Sequence, residues 1–142
     1  MPTITILPAE IRDLDALLVY DRHIPAHRLA DCIHQKQVYV LKEESGNASP
    51  IRGILRYSLF WQTLPFLDLL FLDEACRGKG CGKAMMRRWE ADMKAMGFSY
   101  TLTSTQSDET AYRFYEAIGY HRIGGFFPPG QEAEEWIYGK AL

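Results

Sequence analysis

The chain has 142 residues, 47% of them hydrophobic, and a formal net charge of −2. That length suits one domain around one substantial core, and the faintly acidic balance excludes nucleic acid as a bulk partner, since phosphate-backbone binding needs a basic surface. No apolar stretch approaches membrane-spanning length, and the start MPTITILPAE lacks the basic segment and apolar run of a signal peptide. The expectation is a cytoplasmic protein with neither membrane nor nucleic acid as partner.

In chain order, residues 3–7 alternate and predict a short strand. Pro8 opens a helix over about 9–20, with Ile11, Leu14, Leu17 and Leu18 at helical spacing. Pro25 starts a second helix carrying Leu29, Cys32 and Ile33 inward. Residues 37–42 predict a strand, and EESGNASP is a loop of turn formers. A long strand over 51–61 places Ile51, Gly53, Leu55, Tyr57, Leu59 and Trp61 on one face. The nearly continuous apolar run 66–72 predicts a strand buried on both faces.

The most informative stretch is 67–86, LDLLFLDEACRGKGCGKAMM, a hydrophobic strand breaking into a turn with Gly78, Gly80 and Gly82 and then into a helix. Glycine lets backbone turn sharply and approach a ligand, and a helix start presents unpaired N–H groups and a positive dipole end. With Arg77, Lys79 and Lys83 alongside, the combination predicts a phosphate site; the alternative is a tight strand-to-helix turn with solvated lysines. A Walker loop is excluded, because Gly78 and Gly82 enclose only three residues and Lys83 is followed by Ala84, with no hydroxyl for magnesium. The dinucleotide pattern GxGxxG fails as well, since Lys83 stands where its third glycine belongs.

The helix after the turn is predicted over about 80–96, with Met85, Trp89, Met93 and Met96 as a core stripe and Gly97 as its stop. A strand over 98–104, a helix within 108–120, a strand over 120–126, a Pro-Pro-Gly turn and a final strand over 134–139 follow. The cysteines Cys32, Cys76 and Cys81 are odd in number and lack metal-ligand spacing, which predicts reduced thiols. Cys81 lies in the turn and reads as a small residue beside a ligand rather than a nucleophile. His23, His27, His34 and His121 share no metal spacing, so no metal is expected.

Two segments carry a family resemblance. Arg77-x-x-Gly80-x-Gly82, preceded by Leu72-Asp73, resembles the acetyl-coenzyme-A signature of the GNAT acyltransferases. DETAYRFYEAIGY, with Ala111, Phe114, Tyr115, Gly119 and Tyr120 on the pattern, resembles their second signature. The matches span 67–120. The resemblance implies an α/β (α+β) GNAT fold in one domain over 1–142, with a mixed sheet of six to seven strands, about four helices and a splay between the fourth and fifth strands. The order β-α-α-β-β-β-α-β-α-β-β read above agrees with that layout. It implies acetyl transfer to a primary amine, small-molecule or peptide, directly and through a tetrahedral intermediate, with acetyl-coenzyme A as co-substrate, and it allows a homodimer. A non-catalytic acyl-coenzyme-A sensor of the same fold is the alternative.

The resemblance also implies roles. Cofactor contacts fall on the backbone of Leu70 and Leu72, on Arg77, Gly78, Lys79, Gly80, Cys81, Gly82 and Lys83 of the turn, and on Asp108 and Tyr115. The Leu70 amide is the implied oxyanion donor. Tyr115 is the implied acid for the departing thiolate, a phenol that stays protonated at neutral pH, with Tyr112 as substitute. Asp68 is the one charge in its strand. It is either the base that deprotonates the amine through water or a structural partner of Arg52 or Arg56. Another base position of the family is Phe66 here and cannot act. Asp108 departs from the usual Asn: it keeps an acceptor but loses the amide donor, and its charge is unwelcome near phosphates, which points to helix capping as its main role. Tyr20, Phe60, Trp61, Phe126 and Phe127, with the carboxylates of Glu132, Glu134 and Glu135, are the sequence's argument for a cationic acceptor.

Overall fold

The computed structural model describes residues 3–142. Strands alternate with helices in the expected order: β1 (Thr3–Pro8), a 3-10 turn (Ile11–Asp13), α1 (Leu14–Tyr20), α2 (Ala26–His34), β2 (Val38–Glu44), β3 (Ile51–Phe60), β4 (Leu64–Leu72), a second 3-10 turn (Glu74–Cys76), α3 (Cys81–Ala95), β5 (Tyr100–Gln106), α4 (Ala111–Ala117), β6 (His121–Phe126) and β7 (Glu135–Ala141). The seven strands form a mixed sheet in the order β1-β2-β3-β4-β5-β7-β6. β4 pairs with β5 in parallel through Phe66 opposite Leu102 and Leu67 opposite Thr103, two residue pairs in strands of nine and seven residues. This is the predicted splay.

The chain divides into two compact units, one of the described residues up to Tyr57 with Leu69–Trp89, the other of Ser58–Asp68 with Glu90–Leu142. In the first, Leu17 of α1 and Leu29 and Ile33 of α2 pack with Ala9, Val38, Val40 and Ile54. The helix expected over 9–20 begins instead as a 3-10 turn, and Ile11 is 48% exposed. Residues 53–57 of β3 are all buried, so this central strand is covered on both faces rather than one. Gly53 lets β4 pack close there: a Cβ would stand 2.7 Å from the end of the Leu72 side chain and 3.3 Å from the Phe71 carbonyl oxygen, so Leu72 would have to shift. Trp61 lies off the strand. Trp61 and Gln62 take φ of 55° and 61°, the two left-handed residues of a tight hairpin turn, and Trp61 is 77% exposed.

The run 66–72 is not buried on both faces. Leu67 is buried, but Asp68 and Phe71 are exposed and Leu69, Leu70 and Leu72 are half-buried. Along α3, Met85, Met86, Trp89 and Met93 are buried, while Met96 falls beyond the last helical residue and is 63% exposed. In the second unit, β5 buries Thr101, Thr103 and Thr105. The Thr101 hydroxyl shares a hydrogen bond with the Tyr120 hydroxyl at 3.0 Å, which donates to Glu90 at 2.9 Å. Gly119, at φ 103°, ends α4 in the left-handed conformation that glycine favours and turns Tyr120 inward.

A buried ion pair ties α1 to β3. Arg56 Nε donates to Asp21 Oδ2 at 2.6 Å, with the two residues 7% and 1% exposed. Asp21 Oδ1 also accepts the His23 amide at 3.2 Å. Removing one partner of such a pair strands a buried charge. Asp21→Ala is therefore expected to lower the unfolding free energy by about 3–5 kcal/mol, measured by urea denaturation. A loss under about 1 kcal/mol, the scale of an exposed pair, would show that the pair anchors nothing.

Candidate functional site

In the first unit the site residues are contiguous. β4 ends at Leu72, and the Asp73 amide continues the pairing to the Arg52 carbonyl at 2.7 Å. The short 3-10 turn closes at Cys76, and Gly78 and Gly80 then reverse the chain with φ of 72° and 80°. A Cβ on either would meet nothing within 4 Å, so glycine is needed for the backbone angle and not for space. α3 opens at Cys81, and its first amide bonded back along the chain is Ala84, to the Gly80 carbonyl at 3.0 Å. The amides of residues 81–83 therefore precede any intrahelical acceptor. Arg77, Lys79 and Lys83 are exposed, whereas Cys81 and Gly82 are buried. A helix start and three exposed cations thus share one segment, residues 77–83, the combination that suits an anion.

Arg77 folds back onto β4. Its guanidinium lies over the Phe71 ring at 5.4 Å from the centroid, and its Nε donates to the Leu72 carbonyl at 3.2 Å. That carbonyl keeps a second lone pair. Arg52 bridges Glu43 and Asp73. Tyr20 packs on Phe71 with centroids 5.6 Å apart and donates to the Ile51 carbonyl at 2.8 Å. Burial, followed by the neighbouring Asp73, raises the Tyr20 hydroxyl above its ordinary range. This tyrosine is a structural partner of β3 and β4.

In the second unit Tyr115 sits on α4 and is 8% exposed. Burial pushes its phenol up to about 12, against a smaller opposing pull from a hydrogen bond with Thr103. Thr103 also donates to the Leu67 carbonyl at 3.3 Å, so the candidate acid is tied to the residue pair at which the β4–β5 ladder stops. Tyr112 points elsewhere. It meets Trp136 edge-on at 5.6 Å, and its hydroxyl accepts from Arg113 Nε at 3.3 Å. Asp68 is exposed on β4 and makes an interaction of its own; Arg56 pairs with Asp21, and Arg52 with Glu43 and Asp73. Asp108 is exposed in the turn after β5, and the residue flanking α4 is Thr110, so Asp108 is not the cap.

The acidic run is largely engaged. Glu134 takes Arg122 at 3.3 Å and the Trp136 indole N–H at 3.1 Å, and Arg122 covers the Trp136 ring at 4.3 Å. Gln131 donates to Glu135 at 3.1 Å. Phe60, Trp61, Phe126 and Phe127 are exposed. Among the described residues no group of three or more His, Cys, Asp or Glu is placed to hold a metal ion, and no helix is long and apolar enough to cross a membrane. His23 lies ahead of α2, which carries His27.

Sequence reasoning missed Thr103 and Asp21, and it considered Arg56 only as a partner for Asp68, not for Asp21. Thr103 had a signal, since Thr101, Thr103 and Thr105 alternate in a strand where aliphatic residues would fill a plain core. The pairing of Asp21 with Arg56, far apart in sequence, had none.

A family model described as the acetyltransferase (GNAT) family matches residues 9–120. No curated protein matches the chain in sequence. Solved structures do match in fold. The crystal structure of the NatC complex bound to Gag peptide and CoA superposes with a TM-score of 0.82 at 16% identity, covering 98% of each chain. The ribosomal-protein-S18-alanine N-acetyltransferase from Escherichia coli gives 0.79 at 14% identity, over 99% of this chain and 94% of that one. Ard1 from Thermoplasma volcanium gives 0.79 at 17% identity, over 98% and 97%.

The buried phenols set an alkaline limit. Tyr115 is neutral in both folded and unfolded chains below pH of about 10, where its unfolded value lies. Above that the unfolded chain loses its proton first, so stability falls as pH rises towards about 12, at about 1.4 kcal/mol per pH unit for this group. Tyr115→Phe is expected to flatten that slope by this share in denaturation curves taken across the range. An unchanged slope would place the Tyr115 hydroxyl in water.

Proposed function

The chain belongs to the acetyltransferase (GNAT) family, its residues 9–120 matching the family model, and on that premise we propose that it forms a single domain over 1–142 that moves an acetyl group from acetyl-coenzyme A directly to a primary amine. The observation that carries this reading is the turn itself, two left-handed glycines opening onto the unpaired first amides of α3 between exposed lysines. That donor set fits a pyrophosphate. The amides of residues 78–83 with Lys79 and Lys83 would hold the phosphates of the coenzyme, and the backbone of Leu70 and Leu72 its pantetheine, as an added strand is held. Bound there, the co-substrate supplies an activated acetyl thioester.

The chain's own groups divide the remaining work. The Leu70 amide donates to the carbonyl oxygen as negative charge grows on it. Asp68, exposed to water, accepts the amine proton through a water molecule. Tyr115 returns a proton to the sulfur side. A phenol held at about 12 by burial is protonated at every working pH and yields its proton only to a strong base formed in equally dry surroundings. Thr103 orients that hydroxyl. Asp108 contributes an acceptor near the coenzyme in place of the usual amide. The acceptor class stays broad, a peptide or a small amine. The peptide-bound NatC complex shares this fold, which supports the peptide arm, while Glu134 already paired with Arg122 weakens the argument for a cation-collecting acidic run.

Acetyl-coenzyme A should raise the melting temperature of the wild type by mass action. Gly80→Asp puts a carboxylate into the cradle and should abolish that shift. Gly46→Asp is the control, because Gly46 is left-handed at φ 61° with open space around it but lies between β2 and β3, and it should keep the full shift. Equal shifts in all three proteins would remove the coenzyme from the turn.

Tyr115→Phe removes one hydroxyl and keeps the ring, so the coenzyme-induced shift should persist while turnover falls by roughly two to four powers of ten, read as coenzyme A thiol released against a panel of amines. Thr103→Val should lower kcat with KM unchanged, and Thr103→Ser should restore it. Full turnover in Tyr115→Phe would assign the proton elsewhere, and binding without turnover for any amine in the wild type would make the chain a sensor.

A further inference from the structure

Two cysteines bracket the glycine turn. Cys76 is the last residue of the second 3-10 turn and Cys81 the first of α3, with residues 77–80 between them. Both thiols are free, and the two residues are 4% and 5% exposed. The left-handed Gly78 and Gly80 reverse the chain between the two cysteines, and Cys81 is a near enough neighbour to act on the Cys76 thiol. Two buried thiols that neighbour one another across a reversed chain can be bridged where the turn lets their Cα atoms come within about 7 Å. Cys32, half-buried on α2, has no such bracketing position.

We infer that Cys76 and Cys81 form a modification site, a thiol pair that a peroxide oxidises reversibly to a disulfide across the turn, pulling its two ends together and displacing the anion-binding amides. The reaction balances within the pair. One thiolate attacks a peroxide oxygen, giving a sulfenic acid and releasing water. The second thiol then displaces the hydroxyl as a second water, so two thiols and one hydrogen peroxide give one disulfide and two waters. A dithiol reductant reverses it by exchange. The attacking form is the thiolate, and burial with the neighbouring Cys81 raises the Cys76 thiol, Glu43 adding to the rise and Arg52 opposing it. Cys76 is therefore slow to react, and the burial of both residues admits only a small oxidant. A coenzyme seated on the turn would slow it further.

The test treats the intact chain with hydrogen peroxide, blocks remaining thiols and maps peptides without reduction. Trypsin cuts after Arg77 and Lys79, so the bond would hold two peptides together. The linked pair is expected in the wild type and in Cys32→Ser, absent in Cys76→Ser and Cys81→Ser, and lost on adding dithiothreitol. Cys76 and Cys81 still open to alkylation at a dose that oxidises Cys32, or each oxidised singly without a link, would overturn the proposal. In Cys32→Ser the link should weaken acetyl-coenzyme A binding by about tenfold, the equivalent of one lost hydrogen bond, and reduction should restore it. This affinity arm alone rests on the coenzyme reading. Undiminished binding by the linked protein would overturn the coupling to the turn. A reduced protein that binds no coenzyme would instead fail the earlier reading and leave the mapped bond standing.

Discussion

The whole arrangement depends on where two parallel strands stop pairing. β4 and β5 share two residue pairs, the last being Leu67 with Thr103, and then each strand continues without the other, β4 to Leu72 and β5 to Gln106. Every backbone donor and acceptor in a strand must find a partner, so a ladder cut short presents a length of β4 to whatever else can bond to it. The half-buried character of Leu69, Leu70 and Leu72, in a run apolar enough for full burial, follows from that break. Thr103 marks the break with a hydroxyl that serves both the Leu67 carbonyl and Tyr115.

Around that constraint each unit has rigid supports. In the first, Asp21 and Arg56 lock the end of α1 to β3, and Arg52 spans Glu43 and Asp73, so the strand entering the glycine turn is fixed at its base. In the second, Tyr120 is held by Thr101 and Glu90, and Glu90 also pairs with Lys140 at 2.9 Å. Tyr115 packs against Tyr120 with centroids 5.9 Å apart. A positioned hydroxyl needs neighbours that are themselves held, and the Tyr120 ring against Tyr115 is fixed by these hydrogen bonds.

The turn was legible in the sequence because backbone chemistry wrote it there. Gly78 and Gly80 are glycines for their φ angles, and Gly119 ends α4 for the same reason, so both signatures survive as patterns. What failed depended on partners brought from far along the chain. The hydrophobic run 66–72 read as doubly buried because composition does not reveal where a neighbouring strand departs. Asp108 looked like a cap, but α4 starts later, beside Thr110. Met96 kept the helical spacing and missed the core because the helix ends at Ala95. Glu134 looked available until the fold placed Arg122 against it.

The claim at the centre is that the length of β4 beyond its last pair with β5 and the turn after it form one platform for the coenzyme. Amide hydrogen exchange of the protein with and without acetyl-coenzyme A tests this most directly. The account predicts slowed exchange at the amides of residues 69–72 and 78–83 on adding the coenzyme, with the α2 amides unchanged. Protection confined to other segments, with those two stretches exchanging as before, would contradict it.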